Sequence, residues 1–190
     1  MPTETTPRFR IRQCAARLQA GGVVAYPTEA VYGLGCDPGD PAAVATLLTL
    51  KRRDPGKGLI LIASRVSQLS PWLGDAPLPQ AVLASWPGPN TWLLPAAPHT
   101  PAWITGGRAK VAVRVTAHPV AAALCEAFGG AIVSTSANRD GQPPARSATQ
   151  VRTRLGAEAA ELADILPGPV DRSARPTAIR DAESGAVIRA

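Results

Sequence analysis

The spacing of apolar residues along the chain predicts alternating helices and strands. One set of apolar positions recurs at helical spacing, and Gly21 and Gly22 follow it where a helix would end. These positions are Ile11, Cys14, Ala15 and Leu18. The short apolar runs at residues 23–26 and 59–63 are typical of buried strands. Helices and strands that alternate in this way indicate one layered α/β or α+β domain around one main sheet.

A second stretch predicts a helix that carries a lysine at its end. Asp40 and Pro41 suit the N-cap and the first turn of this helix. Its apolar stripe consists of Val44, Leu47 and Leu48, and Lys51 continues the stripe at the C-terminal end. Basic side chains at this place commonly complement the helix dipole. The run Lys51-Arg52-Arg53 is therefore either a capping cluster or a fork that binds the phosphates of a nucleotide.

One arginine stands in a strand pattern. In residues 111–115 the valines would share one face of a strand, and Arg114 would point to the other face. A buried guanidinium group needs an anionic partner. We therefore expect Arg114 either to hold an anionic ligand or to serve the structure by pairing with Glu126 or Asp140.

A polar run follows the last strongly apolar segments. A helix is predicted over residues 119–128 and a strand over residues 131–133, and the strand leads into Ser134-Thr135-Ser136-Ala137-Asn138. Open α/β sheets place ligands at the carboxyl ends of their strands. The run is typical of turns, and beside Arg114 it could equally line a pocket for a charged, hydroxyl-bearing small molecule.

The segment after the first predicted strand combines several reactive groups. Residues 27–37 are predicted to form a glycine-containing loop, and they begin Pro27-Thr28-Glu29-Ala30-Val31-Tyr32-Gly33-Leu34-Gly35. An ordinary connection explains the glycines equally well, because glycine in a loop usually serves a turn. Neither the Walker A pattern nor the Rossmann fingerprint occurs here. The loop remains a candidate for ligand binding of another kind.

Composition narrows the class of protein. A chain of 190 residues can bury the core of one domain without disulfide or metal support. Its net charge of +6 favours anionic partners such as phosphates and carboxylates, although arginine-rich usage also follows from the base composition of coding DNA. The cysteines, Cys14, Cys36 and Cys125, form no C-x-x-C pair. We expect them to be small buried hydrophobic residues, and we expect neither a zinc site nor disulfides.

Two further features bear on location and chemistry. The N-terminal segment lacks the apolar stretch of a signal peptide, and no later apolar run reaches the ~20 residues that cross a bilayer, so we expect a cytoplasmic protein without a membrane partner. His99 and His118 are the only histidines, and neither is near a plausible nucleophile. A catalytic triad and a histidine metal site are therefore not expected. Any reaction should depend on positioning and charge.

In order and spacing, these segments resemble the YrdC-like family in its short bacterial form. The similar segments are GGVVAYPTEAVYGLGCDP at residues 21–38, the K-x-R of Lys51 and Arg53, KGLILIA at 57–63, WPGP at 86–89, VAVRVTAHP at 111–119, STSAN at 134–138 and IRDAESG at 179–185. The resemblance implies one α/β (α+β) domain over residues 7–190. It implies a twisted mixed β-sheet flanked by helices, with a large, positively lined concave site.

The resemblance also implies an activity. Members of this kind are nucleotidyltransferases that join L-threonine, bicarbonate and ATP into threonylcarbamoyl-AMP and release pyrophosphate. Mg²⁺ is the expected helper, held mainly by the nucleotide because no dedicated carboxylate cage is visible. Separate downstream proteins transfer the group to tRNA, at the adenosine beside the anticodon, to form threonylcarbamoyladenosine.

Each predicted site residue follows from its position in the family's motifs. Lys51 and Arg53 match the K-x-R signature and are expected to be catalytic and to bind ATP. Ser136 and Asn138 match the S-x-N signature, and Ser134 is expected to line the same ATP site. Threonine is expected at a second group of residues, which are Thr28, Arg114 and Tyr32, with Arg114 on the substrate carboxylate. No residue is assigned to a metal.

Two departures from the family pattern stand out. Many relatives carry Pro-Ser-Thr-Ile near the end, where this chain has Pro176-Thr177-Ala178-Ile179, which puts a nucleotide contact from that segment in doubt. Asn138 is followed by Arg139-Asp140-Gly141, where Ser-Gly after one residue is more usual. Longer relatives add a second domain and a linker, and roles that depend on that extension are not carried over.

Two other functions compete with this one. The same fold serves as a carbamoyl-adenylating domain in larger hydrogenase-maturation proteins, which contain additional domains. A non-catalytic RNA-binding or ribosome-maturation protein would use the basic concave surface. With two Phe and two Tyr, the chain lacks an aromatic-rich RNA platform, although weak RNA contact could accompany catalysis.

Overall fold

A computed structural model of the protein describes residues 8–174 and 177–189. The helices are α1 (Arg8–Gln19), α2 (Pro41–Lys51), α3 (Gln80–Ala84), α4 (Ala102–Thr105), α5 (Pro119–Phe128) and α6 (Ala148–Leu155). The strands are β1 (Val24–Pro27), β2 (Tyr32–Gly35), β3 (Ile60–Ala63), β4 (Thr91–Pro95), β5 (Lys110–Val115), β6 (Ile132–Ser136), β7 (Asp164–Ile165), β8 (Ile179–Asp181) and β9 (Val187–Arg189). The predicted domain boundaries, residues 7 and 190, both lie outside the described residues.

The strands form one mixed sheet. In the described part of the chain its order is β7-β1-β2-β6-β3-β5-β4-β8-β9. The pairs β1 with β7, β3 with β5 and β4 with β8 are parallel, whereas the other pairs are antiparallel. This arrangement confirms the α/β domain with a mixed sheet flanked by helices. In the described residues no helix is both long and apolar enough to span a membrane.

Each face of the sheet carries its own hydrophobic core. On one face, α2 packs through residues such as Leu47 against Val113 and Val133 of β5 and β6. On the opposite face, α1 and α5 pack against Ile62 and Ile132 of β3 and β6. The valines of β5 lie on the first face, as the alternation of the strand predicts, so Arg114 points to the face of α1 and α5.

The helix signals in the sequence are confirmed. The carboxylate of Asp40 caps α2 by accepting from the backbone N–H groups of Ala42 and Ala43. In the predicted stripe of α2, Val44, Leu47 and Lys51 are buried, whereas Leu48 is half-buried. Helix α5 has the predicted bounds, and α1 buries its predicted apolar positions. Gly21, with φ 80°, follows α1 in the left-handed conformation that glycine adopts readily.

The prediction of a loop over residues 27–37 was wrong in part, because Tyr32–Gly35 forms strand β2. This strand pairs with β1 on one side and with β6 on the other. Its glycines permit close approach of neighbouring groups: a Cβ at Gly35 would lie 2.6 Å from the Val133 carbonyl oxygen and 2.8 Å from the ring of Tyr26. The spacing of glycines in the sequence does not by itself distinguish a strand that neighbouring groups approach closely from a turn.

Strand β6 is longer than predicted. The apolar run predicted a strand over residues 131–133, but the ladder continues to Ser136. Ser134 pairs with Ile60 of β3, and Ser136 pairs with Gly33 of β2. The first polar residues of the run are therefore fixed by the sheet, and the chain leaves the sheet only at Ala137.

Candidate functional site

The K-x-R and S-x-N segments meet at the end of β6. Lys51 is 1% exposed, and its ammonium group donates to the carbonyl oxygen of Ser136. It also donates to the backbone oxygen of Asn138 at 2.8 Å and to Oδ1 of the same residue at 3.5 Å. The Asn138 amide donates in turn to the carbonyl of Gln142 at 2.6 Å. Lys51 therefore joins the end of α2 to the chain that leaves β6.

Arg53 lies beside this junction with a side chain that is 12% exposed. Its Nη2 donates to the Gly58 carbonyl at 3.1 Å, and its Nη1 is 3.9 Å from Oδ1 of Asp140. The carboxylate of Asp140 also accepts from Lys57, and this hydrogen bond, with the nearby positive charges, lowers the pKa of Asp140. Asp140 is one of the residues that depart from the family pattern. It adds one negative charge to a cluster of cations, and the sequence did not indicate this.

Arg114 is buried and has partners other than those predicted. Its Nη2 is 3.5 Å from Oε2 of Glu29, and its Nη1 donates to the hydroxyl of Thr177 at 2.7 Å. The pairing of Arg114 with Glu126 or Asp140 was therefore wrong. Those two carboxylates pair with arginine and lysine side chains elsewhere, namely Glu126 with Arg65 and Asp140 with Lys57 and Arg53.

The divergent segment near the end contributes to this group. Thr177 reaches Arg114, whereas the preceding Pro176 lies outside the described residues. The strand β8 that follows pairs with β4, next to β5, and this brings Thr177 to Arg114. No local signal in the sequence indicated this contact, because 63 positions separate the two residues.

His118 lies at the start of α5, close to the Arg114 group. Its Nε2 is 3.0 Å from the Pro169 carbonyl, and its Nδ1 caps α5 by accepting from the N–H of Ala121 at 3.5 Å. Burial and the positive charge of Arg114 lower the pKa of His118, and together they outweigh the opposing effects of Pro169 and Glu29. The imidazole is therefore neutral near pH 7.

Thr28 and Tyr32 lie at the two ends of the β1–β2 connection, and both hydroxyls have protein partners. The Thr28 hydroxyl donates to the Val31 carbonyl at 2.7 Å. The Tyr32 hydroxyl donates to the Gly168 carbonyl at 2.8 Å and accepts from the N–H of the same residue at 3.0 Å. Burial raises the pKa of Tyr32. Tyr32 thus ties β2 to the segment around Gly168.

Ser134, Ser136 and Arg114 point to the same face of the sheet. Ser134 and Ser136 alternate with Val133, which lies in the opposite core. Strand β3 separates β6 from β5, so these two strands lie about 10 Å apart, and the register displaces Ser134 by two residues from the position opposite Arg114. The serines and Arg114 are therefore separated along the strands as well as across them.

Two cavities of the structure lie away from the predicted site residues. Their volumes are about 310 and 120 Å³, and none of the predicted site residues lines either one. In residues 8–174 and 177–189, no group of three or more His, Cys, Asp or Glu side chains could hold a metal ion. The three cysteines are buried free thiols, as predicted.

Comparison with known proteins gives the family. Residues 16–190 match the Sua5/YciO/YrdC family model, described as telomere recombination, and the chain belongs to this family. A protein of Halorhodospira halophila named threonylcarbamoyl-AMP synthase is 56% identical over 99% of this chain and 97% of its own length. The protein of the same name from Methylococcus capsulatus is 54% identical over 95% of this chain and 97% of its own length.

Solved structures agree with this assignment. The crystal structure of P. abyssi Sua5 complexed with L-threonine is 33% identical, with a TM-score of 0.85 over 94% of this chain. The chain spans 52% of the length of that Sua5 chain. E. coli YciO, at 24% identity and a TM-score of 0.82 over 98% of this chain and 91% of its own, shares the fold.

Proposed function

We propose that this protein is a threonylcarbamoyl-AMP synthase, a nucleotidyltransferase whose substrates are L-threonine, bicarbonate and ATP. The observation that carries the proposal is the 56% identity, over nearly the full length of both chains, to a protein of that name. The similarity to a Sua5 structure complexed with L-threonine supports threonine as the amino acid. The same matches favour the enzyme over a non-catalytic RNA-binding protein.

The chemistry requires three anionic groups in one place. The ammonium group of threonine loses a proton, and the resulting amine and bicarbonate form a carbamate with release of water. A carbamate oxygen then attacks the α-phosphate of ATP, and pyrophosphate leaves. The carbamate is already anionic at neutral pH, so it needs positioning and positive charge more than a strong base. This agrees with a site whose charged groups are lysine, arginine and carboxylate side chains.

We assign the phosphates and the reacting carbamate to the Lys51 end of the site. Lys51 and Arg53 are the proposed catalytic cations, and Ser134, Ser136 and Asn138 are the proposed ATP-binding residues. What supports this is that Lys51 contacts Ser136 and Asn138 directly. Because the ammonium group is held by carbonyl oxygens, its position is fixed before the nucleotide binds, which is the condition for electrostatic stabilisation without reorganisation.

We assign threonine to Arg114, Thr28 and Tyr32. The guanidinium group of Arg114 would bind the substrate carboxylate. Thr28 and Tyr32 use their hydroxyls within the protein, so we propose that they shape the wall of the threonine site. The separation of Arg114 from the serines, along the strands and across them, leaves room for a product with threonine at one end and adenylate at the other.

Mg²⁺ is proposed to arrive on the phosphates of ATP. Asp140, a carboxylate beside Arg53, is already bound by Lys57, and the described residues contain no group of three or more His, Cys, Asp or Glu side chains that would form a separate cage for this ion. Mg²⁺ would neutralise phosphate charge, and Lys51 and Arg53 would orient the groups. We also propose a cytoplasmic location, downstream proteins that transfer the product to tRNA, and weak RNA contact at most.

The reaction is tested by omission. Pyrophosphate release is measured with ATP, L-threonine and bicarbonate together, and then with each one left out. Release should occur only when all three are present. Equal release without threonine contradicts the proposed function, because it would show hydrolysis of ATP alone.

A further inference from the structure

Glu29 is a partly buried carboxylate in which one oxygen accepts hydrogen bonds and the other accepts none. Its Oε1 accepts from the hydroxyl of Thr116 at 2.7 Å and from the N–H of Ala117 at 3.2 Å. Its Oε2 is buried without a hydrogen-bond partner and lies 3.5 Å from Nη2 of Arg114. A buried carboxylate oxygen without a donor is costly, so such an atom calls for an explanation.

Arg114 shows the complementary feature. Its side chain is 7% exposed, Nη1 donates to Thr177, and its Nε is buried without a partner. Arg114 and Glu29 form an ion pair with a separation of 3.5 Å. In this pair, neither Nε of Arg114 nor Oε2 of Glu29 has a hydrogen bond. The ion pair thus contains a donor on the cation and an acceptor on the anion that are both without a hydrogen bond. A ligand that fits both must carry an anionic acceptor and a cationic donor a few atoms apart.

Glu29 is ionised in this setting. Burial alone raises the pKa of its carboxyl group, but the charge of Arg114 and the hydrogen bonds from Thr116 and Ala117 outweigh burial and lower it. The pair therefore presents one full negative and one full positive charge at neutral pH. A free amino acid carries the opposite pattern, an ammonium group and a carboxylate on the same carbon atom.

We propose that Glu29 binds the α-ammonium group of L-threonine through Oε2 while Arg114 binds the carboxylate. This inference rests on the proposed function and adds a residue to the threonine site. Thr116 and Ala117 hold the other oxygen of Glu29 and so fix the direction of Oε2. In this arrangement the protein selects a free amino acid over a simple hydroxy acid of the same shape.

The competing role for Glu29 is to orient Arg114 and nothing more. The two roles separate with a pair of ligands, L-threonine and (R)-3-hydroxybutanoate, which has the same skeleton with hydrogen in place of the ammonium group. Glu29→Gln keeps the size of the side chain and an oxygen for Thr116 and Ala117, but it removes the charge. Affinities are measured by calorimetry for threonine and by competition against threonine for the hydroxy acid.

We expect Glu29→Gln to weaken threonine binding by about tenfold or more, the scale of a lost charge-assisted hydrogen bond, with little change for (R)-3-hydroxybutanoate. Equal weakening of both ligands overturns the proposal and leaves Glu29 as a positioning residue for Arg114. Unchanged binding of both overturns it as well. The matched control is Glu126→Gln, which removes a carboxylate paired with Arg65 and should alter neither affinity.

A second variant covers a failure of Glu29→Gln to fold. Glu29→Asp keeps the charge but withdraws it by one methylene group, so the advantage of threonine over (R)-3-hydroxybutanoate should fall about threefold or more. An advantage equal to that of the wild-type protein overturns the proposal. Failure of the proposed function looks different, because then the wild-type protein itself would release no threonine-dependent pyrophosphate.

Discussion

The two charged groups of the candidate site are built in opposite ways. At one end, Lys51 contacts carbonyl oxygens of Ser136 and Asn138, and the neighbouring cations, Arg53 and Lys57, share the carboxylate of Asp140. These four charged side chains together carry three positive charges and one negative charge. At the other end, Arg114 faces Glu29, and the pair sums to zero charge.

This difference matches the two kinds of substrate. A net positive end, with its lysine held by neutral carbonyls, suits the phosphates of a nucleotide and an anionic carbamate. A neutral pair with one charge of each sign suits a zwitterion. The comparison leads us to expect that changes at the Lys51 end lower turnover, whereas changes at the Arg114 end alter the threonine requirement.

The largest effect is expected from Lys51→Ala. Loss of this cation should cost about 2–4 kcal/mol of transition-state stabilisation, measured as the rate of pyrophosphate release. Because the ammonium group satisfies buried carbonyls, stability should also fall by about 1–3 kcal/mol, measured by urea unfolding. Arg52→Ala is the control, since Arg52 lies between the two signature residues but has a side chain that is 67% exposed.

Two outcomes for Lys51→Ala would contradict this prediction. A folded variant with undiminished turnover would show that the lysine serves only as the end of helix α2. A variant that keeps full stability but loses turnover would instead weaken the view that Lys51 holds the chain leaving β6. Arg52→Ala should leave turnover unchanged, because it removes only an exposed pair with Glu158.

A smaller and more selective effect is expected from Arg114→Lys. Lysine keeps the charge but loses the planar fork, so the threonine KM should rise about tenfold while the KM for ATP stays near its original value. Threonine titration by calorimetry, together with thermal melts of both proteins, makes the measurement. Unchanged threonine affinity with a lowered Tm would make Arg114 a structural residue and leave the substrate carboxylate without an assigned partner.

The smallest effect concerns His118, whose pKa is lowered in the folded protein. Below the unfolded pKa of about 6.5, the unfolded state binds more protons than the folded state, so stability is lost as pH falls from 6.5 towards the folded pKa. His118→Asn removes the titration and keeps an N-cap acceptor for α5. The Tm of the variant should therefore change less between pH 5 and 7 than that of the wild type. An identical pH profile would show that His118 does not contribute to it.

Local patterns in the sequence were sufficient for several features. Helical spacing and capping residues located α1, α2 and α5, and strand alternation correctly turned Arg114 away from the valines of β5. These features depend on neighbouring residues and on the periods of helix and strand, which a sequence displays directly. The motif resemblance supplied the site residues, whose roles stay proposals until they are tested.

Only the tertiary structure decided which residues contact each other. It placed β2 where a loop was expected, because glycine permits both a turn and a close strand. It joined Lys51 to Asn138, Asp140 to Lys57, and Arg114 to Glu29 and Thr177, in place of the expected partners of Arg114. Those contacts link residues far apart in the chain through strand order and register, which follow from packing of the whole sheet and not from any local run of residues.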